Sequence, residues 1–78
     1  MLTETELTTF YQAIQTAKLN CNNDYAIAYL NAIDEANDLY GENGVRVNVL
    51  YALGNMQYWK GDLARKVKKV LNEMTDKM

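Results

Sequence analysis

The side chains best suited to acid–base chemistry are three carboxylates in the middle of the chain. Asp34, Glu35 and Asp38 are spaced so that an α-helix would carry them close together on one face. A carboxyl group acts as a general acid near neutral pH when an apolar pocket raises its pKa, and the neighbouring residues give no indication of such a pocket. We therefore interpret the three carboxylates as part of a charged helix face and predict no catalytic dyad.

Composition excludes most other reactive sites. The 78 residues include no histidine and one cysteine, which excludes histidine-based triads, disulfide scaffolds and zinc sites built from cysteine and histidine. Residues 41–44 (Gly-Glu-Asn-Gly) are too few and too acidic to cradle a phosphate. Cys21 lies among asparagines and is predicted to be an unreactive free thiol in a polar turn. We expect a chain that is not an enzyme and that uses no metal or cofactor.

Charge is sorted along the chain, although the net charge is only −2. Residues 1–44 hold seven acidic residues and one lysine, whereas residues 45–78 hold seven basic and three acidic residues. Four of the bases are concentrated in one segment near the C-terminus: Arg65, Lys66, Lys68 and Lys69. Surfaces of opposite charge mainly raise the rate and the specificity of association.

These charges allow several interpretations. The simplest is that both groups are solvated helix faces. A more specific hypothesis is that the acidic face docks on a basic protein. The alternative is a small nucleic-acid-binding accessory protein that contacts phosphates through the four bases of the last helix. In a third interpretation, the acidic face of one copy meets the basic face of another in a homodimer.

Turn residues and helical periodicity divide the chain into elements. Asparagines around position 22, glycines at 41 and 44, and Gly61-Asp62 mark the breaks. The sequence predicts an all-α fold, a compact bundle of four short helices in a single domain over residues 1–78. The predicted helices span residues 5–19, 24–40, 45–59 and 62–75. Residues 45–53 also alternate as a strand would, but the segment is too long for a typical strand and has no partner strand.

The predicted helix ends carry capping residues. Thr3 and Glu6 have the spacing of a capping box. One of residues 22–24 is expected to cap the second helix, and Gly41 fits a left-handed stop at its end. Asp62 is expected to cap the last helix.

The third predicted helix has more apolar side chains than one buried face requires, so it is either central in the fold or carries an interface. In the second case Tyr51, Gly54 and Tyr58 form a flat aromatic patch of the kind enriched at binding hot spots. Glycine inside a helix costs about 1 kcal/mol relative to alanine, so Gly54 is expected where another backbone or ring approaches closely. The single tryptophan, Trp59, is expected to anchor the core.

Part of the chain resembles a tetratricopeptide repeat. Residues 50–55 (Leu-Tyr-Ala-Leu-Gly-Asn), followed by Gly61-Asp62, resemble the first helix and turn of such a repeat. Lys66 stands where the repeat has a small residue, and no second copy follows at the expected period. We interpret the segment as an unrelated helical hairpin, because a single repeat does not bury its own faces.

The last third of the chain looks like the C-terminal part of small helical proteins encoded by phages and mobile elements. The residues that carry this resemblance are Leu50-Tyr51, Asn55, Trp59-Lys60-Gly61-Asp62, Ala64-Arg65, Val67-Lys68 and Leu71. It implies a compact factor that acts by binding, for example one that modulates or inhibits a host or defence complex. The sequence has neither a membrane-spanning apolar run nor a secretory leader pattern, so we expect a cytoplasmic protein.

We therefore predict a non-enzymatic protein that acts by protein–protein contact. The predicted contact surface combines Tyr51, Gly54 and Tyr58 with the acidic residues Asp34, Glu35 and Asp38.

Overall fold

The computed structural model describes residues 2–78, which form five α-helices and no β-strand. The helices are α1 (Glu4–Asn20), α2 (Asp24–Asn31), α3 (Ile33–Tyr40), α4 (Glu42–Gly54) and α5 (Asp62–Lys77). The predicted all-α class is confirmed, and residues 45–53 are helical. The predicted number of four helices is wrong, because the second predicted helix is divided into α2 and α3.

The first two helices begin at caps that the local sequence provides. The Thr3 hydroxyl accepts a hydrogen bond from the Glu6 backbone N–H (3.2 Å), and the Glu6 carboxylate accepts one from the Thr3 backbone N–H (3.0 Å). This is the predicted capping box. At α2, the side chain of Asn23 accepts a hydrogen bond from the Ala26 backbone N–H (3.0 Å). Each bond satisfies a donor that the first turn of a helix leaves unpaired.

Helices α2 and α3 are separated at Ala32, whose backbone (φ −87°, ψ 1°) departs from helical geometry. The break has no local cause, since alanine has the highest helix propensity of any residue. Leu30 and Ile33, on either side, are both buried in the core. Asn48 of α4 donates a long hydrogen bond of 3.5 Å to the Tyr29 carbonyl in the last turn of α2. A side chain from α4 thus bonds the helix backbone beside the break, one of the recognised settings of a helix kink.

Gly41 alone connects α3 to α4. Its φ of 69° lies in the region that favours glycine, as expected for the end of a helix. The predicted break over residues 41–44 is otherwise wrong, because α4 begins at Glu42 and Gly44 is buried inside it. A Cβ atom on Gly44 would lie 2.6 Å from the Ala36 carbonyl oxygen and 2.8 Å from the Tyr40 Cβ. The missing side chain of Gly44 is therefore what lets α3 and α4 cross so closely.

Helix α4 ends at Gly54, well before the predicted end at Trp59. The chain turns after the helix, and Met56 in this turn is fully buried. Tyr58 consequently lies in the connection between α4 and α5 (residues 55–61). The predicted close approach at Gly54 is also wrong, since no atom would lie within 4 Å of a Cβ there.

Helix α5 follows Gly61, which has a φ of 113°. Asp62 is the first residue of the helix and makes no capping hydrogen bond, contrary to prediction; its carboxylate pairs with Arg65 at 3.3 Å. At the other end of α5, the Lys77 ammonium donates a hydrogen bond to the Glu6 carboxylate of α1. Chiefly through this bond, the pKa of Glu6 is lowered from 4.5 to about 2 and the pKa of Lys77 is raised.

Helix α4 is central, because it contacts α2, α3 and α5, while α1 packs on α5 and α2. Cys21 lies in the connection between α1 and α2, as predicted, but its side chain is buried in the same core and does not face a polar turn. Trp59 is half-buried against this core. The largest fully buried apolar side chains are Phe10, Leu30, Val49, Met56 and Leu71.

No helix within residues 2–78 has both the length and the apolar character needed to cross a membrane.

Candidate functional site

A groove of about 380 Å³ lies between α3 and α4, and we call it the α3–α4 groove. Ala36 and Gly44 line it at the point where the two helices cross closely. Because both residues are small, the larger side chains on either side enclose a recess. Those larger side chains are Glu35, Leu39, Tyr40, Asn43, Val47 and Asn48.

Two large apolar side chains at this groove are exposed to solvent. Leu39 is 64% exposed and Tyr40 is 72% exposed. Both belong to the last turn of α3, immediately before the Gly41 corner. Glu35 lies one helical turn before Leu39, so a carboxylate and an apolar side chain share one edge of the groove.

A pair of stacked tyrosines extends the apolar surface along α4. Tyr51 lies one turn beyond Val47 on the same helix. Its ring stacks on that of Tyr29, with centroids 5.3 Å apart and planes inclined at 24°. Tyr51 is nevertheless 57% exposed. Contact with a second ring restricts the Tyr51 side chain, which reduces the conformational entropy that it would lose on binding.

The surroundings of the groove are acidic. Glu35 lines it, and Asp38 and Glu42 are exposed on the same two helices. No lysine or arginine occurs in the sequence between Lys18 and Arg46. Within the described part of the chain, neither of the two ion pairs involves these three carboxylates. Arg46 of α4 lies one turn after Glu42, so three carboxylates against one arginine leave the surroundings of the groove net negative, which favours basic groups.

The predicted aromatic patch is not assembled as one surface. Tyr51 lies beside the groove, but Gly54 is exposed at the end of α4. Tyr58 is 84% exposed and lies in the connection that follows. The three residues do not form a flat face of one helix, because α4 ends before it reaches Tyr58.

The predicted acidic residues are distributed over more than one surface of α3. Asp34, Glu35 and Asp38 are all exposed. Glu35 lines the α3–α4 groove, whereas Asp34 lines a separate cleft of about 220 Å³ that Lys18 of α1 also borders. Of the three predicted carboxylates, Glu35 is therefore the one that lines the groove.

The four bases of α5 do not form a single stripe. Lys68 is half-buried, and its ammonium donates a hydrogen bond to a backbone carbonyl of the α4–α5 connection. Arg65 and Lys68 line one cleft together with Lys60. Lys66 and Lys69 are exposed and do not line that cleft. The structure thus places two of the four predicted bases, Arg65 and Lys68, beside Lys60, which lies outside the predicted group.

Leu39, Tyr40 and Gly44 are not among the predicted site residues. The signal for Leu39 and Tyr40 in the sequence is a pair of large apolar residues directly before the glycine that ends a helix. The neighbouring Gly41 and Asn43 favour a turn at Gly44, but in the fold Gly44 lies inside α4, where it allows the close crossing with α3.

Within residues 2–78, no group of histidine, cysteine, aspartate and glutamate side chains is arranged to hold a metal ion. No protein-family model, curated protein or solved structure matches the chain. The surfaces of the fold are therefore the features from which function can be inferred.

Proposed function

We propose that this chain is a non-enzymatic binding protein whose α3–α4 groove receives a basic, amphipathic helical segment of another protein. The observation that carries the proposal is the exposure of Leu39 and Tyr40 at an apolar recess. Large apolar side chains grouped at a concave surface are typical of interaction sites.

The partner's chemistry follows from the lining of the groove. Apolar side chains of the partner would pack between Leu39 and Val47, as an amphipathic helix does when it docks in a groove. Lysine or arginine residues flanking those anchors would lie near Glu35, Asp38 and Glu42. The apolar contacts would supply most of the affinity, while the charges would raise the association rate and select the partner.

The resemblance to small helical proteins of phages and mobile elements suggests the setting. We favour a host or defence complex in the cytoplasm as the target. A small protein that covers a basic, functional surface of such a complex would modulate or inhibit it without chemistry of its own.

The test begins with affinity capture from an extract of the source or its host, after nuclease treatment, and continues with the purified partner. Leu39→Ser should weaken binding about tenfold or more in calorimetry, as truncation of an interface anchor does. The matched control is Leu19→Ser, because Leu19 is 75% exposed in α1 and does not line the groove. Both variants should keep the wild-type melting temperature.

Charge is tested separately. Glu35→Lys should slow association and reduce its salt dependence, whereas Glu73→Lys makes the same charge change on α5. Equal effects of the two charge variants, or equal binding by Leu39→Ser and Leu19→Ser, would show that the partner docks elsewhere.

A further inference from the structure

The connection between α4 and α5 separates two cavities of different chemistry. One has a volume of about 400 Å³ and lies against residues 21–23, which connect α1 to α2. The other has a volume of about 360 Å³ and lies against the start of α5. Trp59 and Lys60 line both cavities, so the two adjoin at these residues.

The first cavity is rich in amide groups. Asn22, Asn23 and Asn55 line it together with the exposed Tyr58. The Asn23 side-chain oxygen is held by its bond from the Ala26 backbone N–H at 3.0 Å, which leaves its amide nitrogen as a donor. The amide nitrogen of Asn55 donates to the Tyr51 carbonyl at 2.9 Å, which leaves its oxygen as an acceptor. The cavity therefore offers both donors and acceptors beside aromatic side chains.

The second cavity is positively charged. Lys60, Arg65 and Lys68 line it, and among residues 2–78 no carboxylate lines either cavity. One donor of Lys68 is used on the Trp59 carbonyl, and an ammonium group has three. Arg65 is paired only with the exposed Asp62, and an exposed pair of this kind holds its members weakly.

We infer that the two cavities together form a site for a nucleotide. The amide-lined cavity suits an aromatic heterocycle, since side-chain amides pair with the polar edges of bases and aromatic residues stack on their faces. The cationic cavity suits the attached phosphate, which arginine and lysine bind with charge-assisted hydrogen bonds. The nucleotide is either free in solution or part of a single strand.

This site is independent of the α3–α4 groove. Asn48 is the last residue of α4 that lines the groove and Asn55 follows the helix seven residues later, so the helical rise separates the two lining sets by roughly 10 Å. Failure of one proposal therefore leaves the other standing.

The chain contains its own reporter, because Trp59 is the single tryptophan of the 78 residues and lines both cavities. Tryptophan fluorescence would be followed during titration with adenosine monophosphate, adenosine, inorganic phosphate and a deoxythymidylate oligonucleotide. We expect a saturable change with adenosine monophosphate and weaker binding of adenosine and phosphate separately. Tighter binding of the oligonucleotide than of the mononucleotide would identify the single strand as the source.

Two variants at the cavities and two control variants on α5 test where the ligand binds. Lys60→Ala and Arg65→Ala should each reduce affinity about tenfold, the usual effect of removing a hydrogen bond to a charged group. Lys66→Ala and Lys69→Ala remove equal charge outside the cavities and should leave affinity nearly unchanged. The inference is overturned if no probe gives a saturable change, if phosphate alone binds as tightly as the mononucleotide, or if only the two control variants weaken binding.

Discussion

A single methyl group added at position 44 should measurably destabilise this protein. Gly44 is buried where α4 crosses α3, and a Cβ there would lie 2.6 Å from the Ala36 carbonyl oxygen. Relief of this overlap to an ordinary contact of 3.4 Å requires a displacement of about 0.8 Å. The opposing atoms are the Ala36 backbone and the Tyr40 Cβ, neither of which moves by a side-chain rotation alone. The two helices must therefore separate.

The expected loss follows from two opposing contributions. Overpacking of a well-packed site costs about 1–3 kcal/mol. Alanine in place of glycine within a helix recovers about 1 kcal/mol. Because only backbone and Cβ atoms oppose the added methyl group, the overpacking cost lies in the upper part of that range, about 2–3 kcal/mol, and the net destabilisation of Gly44→Ala is then about 1–2 kcal/mol. For a domain of this size, such a loss lowers the melting temperature by roughly 5–15 °C.

Gly54→Ala is the matched control. Gly54 is exposed in the last turn of α4, and a Cβ there would meet no atom within 4 Å. The same chemical change should therefore be neutral or stabilise by up to about 1 kcal/mol. Urea denaturation followed by circular dichroism measures both variants. If Gly44→Ala proved as stable as Gly54→Ala, the close crossing of α3 and α4, and the shape of the groove built on it, would be refuted.

Three further predictions concern acid stability and the core. Hydrogen bonds from Lys77 and from the Thr3 backbone lower the pKa of Glu6 from 4.5 to about 2. The ionised carboxylate therefore contributes its full stabilisation above pH 4.5, and this contribution is lost as the pH falls through about 2. Glu6→Gln should flatten the dependence of the urea midpoint on pH in that window, and an unchanged slope would contradict the assignment. Phe10→Ala removes a fully buried ring and should cost about 3–5 kcal/mol, which a thermal melt will show as loss of the cooperative transition or a large fall in its midpoint. Cys21 is buried, so its thiol should react with a disulfide reagent far more slowly in buffer than in urea, and equal rates would contradict its burial.

Local signals predicted the helix starts where the side chains themselves make the bonds. The Thr3–Glu6 capping box and the Asn23 cap each depend on residues within one turn, so spacing identifies the first and narrows the second to residues 22–24. The helical class followed from periodicity over long segments. These features require no knowledge of which elements become neighbours.

Tertiary packing determined the features that the sequence did not predict. Ala32 interrupts a helix although alanine favours helices, and beside it Asn48 of another helix bonds the Tyr29 carbonyl. Similarly, Met56 is buried after a turn that ends α4 early and leaves Tyr58 outside the helix. Where these helices end depends on contacts between residues distant in sequence, and the spacing of apolar residues along the chain does not specify such contacts.

The position of the candidate groove has the same origin. Val45, Val49 and Ala52 of α4 are buried by the rest of the chain, and this accounts for one side of that helix. Its other side carries Val47, half-buried at the groove, and Tyr51, which contacts Tyr29 but stays largely exposed. A helix that is apolar on both sides must be buried on both or be left with an apolar surface. The excess of apolar residues in α4 is therefore visible in the sequence, but only the fold shows which side remains available to a partner.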